Sequence, residues 1–127
     1  MMTYGFKDRF ADALLMDTKL STIRAPRKDG RLPKPGEVIR RYTGMRTKNC
    51  RWRGDRICKS VRKVKIKRFQ STCALYIDGR GAGDVNEIAR KEGFRSWGEM
   101  ADFFATVHTL PFTGWLIEWH PYSANEK

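Results

Sequence analysis

The sequence predicts an α+β fold, a small β-barrel with flanking helices, on three features. Between Val61 and Phe69, Val64 and Ile66 alternate with Lys63, Lys65 and Lys67, the period of a half-buried strand. Asp84 stands three residues before Glu87, and Ser96 three before Glu99, two capping-box signatures that open helices. After Pro111 interrupts the chain, Trp115-Leu116-Ile117-Glu118-Trp119 supplies a closing strand within the sheet. At 127 residues and 40% hydrophobic composition there is material for one core, so residues 1–127 are expected to form a single domain without linker or repeat.

Taken in order, Phe6, Phe10, Ala13 and Leu14 fall at helical spacing with Asp8, Arg9 and Asp12 on another face, which predicts a short amphipathic helix over 6–17. Lys19–Arg24 follows, and then an exposed loop from Pro26 to Gly36 in which Pro26, Gly30, Pro33, Pro35 and Gly36 each break regular structure. Val38–Thr43 reads as a strand ending at Gly44. Residues 45–56 are rich in Arg and carry Trp52 within Arg51-Trp52-Arg53, too polar for a core and too long for a tight turn; they read as a mobile basic arm at about 44–59. The strand from Val61 to Phe69 then turns Lys63, Lys65 and Lys67 to one face as a basic rail.

Cys73–Ile77 is the next strand. Gly79-Arg80-Gly81-Ala82-Gly83 lacks both the Lys-Ser/Thr of a P-loop and the dinucleotide spacing, and reads as a flexible turn. The helix opened by Asp84 runs to Glu92 and stops at Gly93, and the helix opened by Ser96 carries Trp97, Met100, Phe103, Phe104 and Val107 towards the core.

Charge is the strongest functional signal. Residues 24–68 hold eighteen Lys/Arg against three Asp/Glu, so the formal net charge of +12 is concentrated in about a third of the chain. A field of one sign over that fraction attracts a polyanion. Charge serving solubility alone is spread and mixed in sign. Cys50, Cys58 and Cys73 are odd in number and lack Cys-x-x-Cys pairs, and nothing places His108 and His120 beside them, so free thiols, no metal and no cofactor are expected. No stretch approaches the roughly 18 apolar residues of a membrane span, and Met1–Asp8 lacks the apolar core of a signal peptide, which predicts a cytoplasmic protein with no membrane partner.

Several segments, in order and spacing, resemble the ASCH family, a branch of the PUA-like barrels. They are Thr22-Ile23-Arg24, Arg27-Lys28-Asp29-Gly30-Arg31, Pro33-Lys34-Pro35-Gly36-Glu37, Tyr42-Thr43-Gly44-Met45-Arg46-Thr47, Glu92-Gly93-Phe94 with Trp97, and Leu110-Pro111-Phe112. The resemblance covers most of the chain and implies a PUA-like (ASCH) β-barrel. Proteins of this family include nucleic-acid-binding modules, RNA-cleaving enzymes and small bacterial amidohydrolases that act on 4-acetylcytidine. In the amidohydrolases a lysine, a threonine three positions on and a glutamate on the later helix are catalytic. The resemblance places these on Lys19, Thr22 and Glu92, the last by order and context, with the family's arginine on Arg24.

The chemistry of that set can be read independently. A threonine hydroxyl becomes a nucleophile when a base takes its proton, and a lysine serves if its pKa falls by about 3 units, which burial and nearby positive charge promote. Alternatively Lys19 stays protonated and binds phosphate, or is simply solvated at the start of a strand in which Thr22 pairs through its backbone. The segment from Pro26 to Lys59 is longer and more basic than a nucleoside hydrolase requires. A nucleic-acid-binding protein is therefore favoured, single-stranded RNA ahead of DNA, with contacts expected from Arg24, Arg27, Lys28, Arg46, Lys48, Arg51, Trp52, Arg53, Lys63, Lys65 and Lys67. Trp52 either stacks on an unpaired base or anchors the arm to the barrel. A ribonuclease using Lys19, Arg24 and Glu92 is the second reading, the nucleoside amidohydrolase the third, and a module for an acidic protein partner the fourth.

Overall fold

A computed structural model describes residues 1–70 and 72–122. The fold is α+β. Its strands are β1 (Met2–Phe6), β2 (Ser21–Arg24), β3 (Val38–Thr43), β4 (Arg51–Phe69), β5 (Thr72–Ile77), β6 (Arg80–Gly81) and β7 (Phe112–Trp119); its helices are α1 (Ala11–Leu15), α2 (Val85–Lys91) and α3 (Trp97–Val107).

The 19-residue β4 is the spine of the sheet. Arg51–Ile57 pairs with β3, which carries β1 in parallel on its other edge. From Cys58 to Ile66 the spine pairs with β7, which in turn carries β2, and Val64–Phe69 pairs with β5. Among the described residues β1 and β2 share no ladder, so the sheet of seven strands is not closed into a barrel.

Several sequence expectations change. The apolar set assigned to a helix over 6–17 is divided: Met2, Tyr4 and Phe6 are the buried residues of β1, Asp8–Phe10 forms a 3₁₀ turn, and only Ala11–Leu15 is α-helical. Alternation over five residues at the start of the chain outweighed a helical spacing that Phe10 and Leu14 satisfy by themselves. The basic arm is likewise corrected. Residues 51–59 belong to β4, because β3 supplies a ladder that polar residues can join with their backbones, and only the turn 44–50 projects. Asp78-Gly79 forms a two-residue hairpin with φ of 53° and 81°, the turn that Asp-Gly favours, so Arg80–Gly81 pairs with β5 where a flexible turn was expected. The closing strand begins at Phe112, earlier than Trp115.

The capping signatures match the structure: Asp84 accepts from the Glu87 amide, and Ser96 from the Glu99 amide. On α3, Met100 and Phe104 are buried, and Phe104 meets Phe112 of β7 with ring centroids 5.4 Å apart. A bulge between Arg40 and Tyr42 accompanies a fully buried Arg41, which donates to the carbonyls of Gly54 (3.0 Å), Leu14 (3.3 Å) and Arg53 (2.7 Å). Burial, with Arg56 adding to it, lowers the Arg41 pKa to about 10. Its charge is met by three carbonyl dipoles and the face of Trp119, 5.6 Å from the guanidinium carbon. Part of the basic composition is thus structural, as it is for Arg56, which pairs with Asp17 at 3.0 Å.

Candidate functional site

The main cavity, about 600 Å³, opens at the seam where β1 and β2 fail to pair. Gly5 and Phe6 line it from β1, Thr22 and Arg24 from β2. Phe94, Phe103, Phe104 and His108 form an aromatic wall, and Gly44 and Met45 reach it from the turn 44–50. Arg24 spans the seam: its Nη2 donates to the Gly5 carbonyl at 2.5 Å, and its guanidinium lies over the rings of Phe6 (4.7 Å) and Tyr4 (5.2 Å).

Lys19 and Glu92 meet at the floor because of how α2 ends. Gly93 takes φ +98°, which a residue without Cβ adopts freely, and the Phe94 and Gly93 amides donate back to Ala89 and Arg90, a Schellman ending. The carbonyls of Lys91 and Glu92 then face the chain leaving α1. Leu20 N donates to the first at 2.7 Å, and Lys19 Nζ donates to the second. The same ammonium donates to the Ser21 carbonyl at 2.8 Å and lies 3.5 Å from Glu92 Oε2. Ser21 Oγ donates to Glu92 Oε1 at 2.6 Å. A cation at a helix C-terminus, held by carbonyls and a carboxylate, is a favourable cap. Burial is the larger influence on Lys19 and lowers its pKa; Glu92 opposes the shift and Arg24 adds to it.

Lys19, Thr22, Arg24 and Glu92 therefore line one cavity, and Lys19, only 2% exposed, is not the solvated residue that one reading allowed. Their bonding is specific. Thr22 Oγ1 accepts from Arg24 Nε at 2.9 Å, which leaves its own proton free to donate into the cavity. All three Lys19 protons are directed at Ser21 and Glu92. For Lys19 to serve as a base towards Thr22 it must leave those carbonyls. As it stands, the site offers a wall of mutually inclined aromatic rings, in which Phe104 and His108 lie nearest to parallel, together with one guanidinium and one hydroxyl.

The other candidate contacts lie outside the cavity lining. Arg27 and Lys28 are exposed in the loop that continues from Arg24, Arg27 pairing with Asp29 at 3.1 Å. Arg46 and Lys48 are exposed on the turn whose Gly44 and Met45 reach the cavity. Arg51 is exposed at the start of β4, and Arg53 donates to Thr43 Oγ1 at 2.9 Å. Trp52 is 59% exposed, its Nε1 donating to Asp55 at 2.8 Å, which removes the buried-anchor reading. Lys63, Lys65 and Lys67 are exposed along the far half of β4, and Lys67 lies 4.9 Å from the Tyr76 ring centre.

Ser21 and the aromatic wall were missed from sequence. Phe103 and Phe104 carried only a core signal, which Phe104 also satisfies, and Ser21 becomes informative only once Glu92 is known to face it. The cysteines are free, and no helix among the described residues is long and apolar enough to cross a membrane. No protein-family model, curated protein or solved structure matches the chain.

Proposed function

We propose that the chain is a nucleic-acid-binding domain of the ASCH type, built as an incomplete PUA-like barrel, that takes single-stranded RNA in preference to DNA. The observation that carries this reading is the conjunction at one seam of an aromatic-walled cavity and two basic turns, 25–36 and 44–50, that depart from its rim. A cavity of about 600 Å³ is of the size that encloses a small planar ligand. Recognition of a single strand supplies such a ligand as an unstacked base, with phosphates left outside for arginine and lysine. The preference for RNA comes from the family resemblance. Labelled RNA, the matching DNA and 4-acetylcytidine, incubated with the protein in parallel, test the reading. RNA retained more tightly than DNA, without product, supports it; no retention of either polymer at about 50 mM salt, where phosphate contacts are strong, overturns it.

A second reading, an amidohydrolase of 4-acetylcytidine-like nucleosides, is favoured by the presence of Lys19, Thr22 and Glu92 in one cavity and by the lowered Lys19 pKa. In that chemistry Lys19, released from its carbonyls, takes the Thr22 proton as Oγ1 attacks the acetyl carbonyl; the C–N bond breaks as Lys19 passes the proton to the leaving amine, and water then hydrolyses the acetyl-threonine ester to acetate and free Thr22. Thr22→Ala distinguishes the readings: it abolishes deacetylation while a binding module keeps most of its RNA affinity. Shortened RNA in the same incubation would instead mark a ribonuclease.

A further inference from the structure

The outer face of β1, β3 and β4 carries a feature that the cavity does not explain. Gly5 stands opposite Tyr42, and Tyr42 opposite Trp52, so the three residues form one row across three strands. The row points away from the core, since Tyr4 and Phe6 on either side of Gly5, and Arg41 and Thr43 on either side of Tyr42, are the buried residues. It ends at the cavity. Gly5 lines the cavity, and Met45 lies so close over it that a Cβ there would stand 2.7 Å from the Met45 sulfur. At the other end the indole of Trp52, 59% exposed, is oriented by its bond to Asp55, which is held in turn by Arg40 at 3.5 Å. Between Val38 and Gly54 there is no Asp or Glu. Arg40 reaches the row through Asp55, and Arg46 and Lys48 are exposed on the turn 44–50 that carries Met45, whereas Arg51 and Arg53 alternate with Trp52 onto the other face, where Arg53 donates to Thr43 Oγ1.

We infer that this row is the track by which a single-stranded polynucleotide reaches the cavity, with one base stacked on Trp52, a second on Tyr42 and a third passing over Gly5 and Met45 into the aromatic pocket. The inference rests on the proposed reading of the chain as a single-strand binder and assigns that reading a route. From Gly5 to Trp52 is two strand spacings, about 10 Å, a span that two or three nucleotides cover. Stacking tolerates any base, and the exposed Arg46 and Lys48 of the adjoining turn track the phosphates, the usual combination for single strands. A duplex fits poorly, because its bases are already stacked.

Fluorescence anisotropy with a labelled oligouridylate of about ten nucleotides, of the order of one binding site, tests the route. Trp52→Leu is expected to weaken binding about tenfold or more, Tyr42→Leu by a similar factor, and Trp52→Phe to restore most of the loss. Uridine monophosphate, which occupies the cavity alone, should bind all three variants as it binds the unaltered protein. Tryptophan emission should be quenched by the oligonucleotide in the unaltered protein, and much less in Trp52→Phe although it still binds, a measurement that stands even if Tyr42→Leu fails to fold. Leucine variants that bind the oligonucleotide within twofold of the unaltered protein, or quenching that persists in Trp52→Phe, overturn the track and leave the binding module standing. An unaltered protein that binds neither oligonucleotide nor monophosphate overturns both.

Discussion

Lys19 Nζ lies 3.5 Å from Glu92 Oε2, and the two residues are 2% and 3% exposed. Lys19 thereby closes α2, joins it to the start of β2 and fixes the carboxylate that floors the cavity. Fold and site depend on the same contact, so a loss of function on its removal carries meaning only when it is measured per folded molecule.

Removing one partner leaves a buried charge. Lys19→Met is expected to destabilise the protein by about 3–5 kcal/mol, and the double variant Lys19→Met/Glu92→Leu by less than the sum of the single losses. Denaturant unfolding of the four proteins in the cycle checks the coupling. The pH dependence has a definite sign. Since burial lowers the Lys19 pKa, the unfolded chain binds a proton that the folded protein has already released in the interval just below 10.5. The stability of the unaltered protein relative to Lys19→Met should therefore rise with pH through that interval; a flat difference contradicts it.

Arg41 supplies a contrast, because it is equally buried and lies outside the cavity lining. Arg41→Met leaves three carbonyls without their donor and should cost about 3 kcal/mol or more, visible as a lower Tm. Ligand binding by the folded fraction should be unchanged.

His108 packs on Phe104 and Phe112, with ring centroids 5.3 and 4.6 Å away, and burial lowers its pKa. The unfolded chain thus takes up a proton near pH 6.5 that the folded protein refuses until lower pH, so stability falls as the pH drops below 6.5. His108→Phe should remove that part of the slope, which unfolding midpoints between about pH 5 and 8, the range over which histidine charge changes, will read.

Salt should report the proposed polynucleotide contacts. Each phosphate neutralised on a single strand contributes a slope of about −0.7 in log affinity against log salt, so replacing Lys63, Lys65 and Lys67 by Gln should flatten the slope by up to about 2 if all three are used. An unchanged slope in that triple variant places the contacts on the turns 25–36 and 44–50 instead.

The legible part of this molecule was its local grammar. Asp84 and Ser96 cap as their spacing indicated, Val38–Thr43 is a strand over the expected residues, and the alternation of Val64 and Ile66 with three lysines places them inside and outside as read. The misreadings came where one residue satisfies two periods or a partner strand decides. Phe6 fits a helix with Phe10 and a strand with Tyr4, and Arg51–Arg56 is polar enough for an arm until β3 offers its backbone. At the site, Lys19, Thr22 and Arg24 are close in sequence and could be grouped from it. That α2 stops at Gly93 was legible as well, but what its last carbonyls and Glu92 meet, and where α3 crosses the seam, are decided by tertiary packing and have no local signature.

At the seam one side chain stands in for a ladder. Elsewhere β1 and β2 are each held along their whole length by β3 and β7, but towards each other they are joined through Arg24 lying across Tyr4 and Phe6. Among the described residues, parting the two edges breaks one charge-assisted hydrogen bond, a net of about 1.5–3 kcal/mol, together with the contacts of the Arg24 guanidinium on the Tyr4 and Phe6 rings, and leaves every ladder intact. Amides along these two edges should then exchange with solvent through small local openings, while those of β4 wait for global unfolding. The cavity can accordingly breathe on its own, widening for a ligand without drawing on the stability of the sheet that frames it.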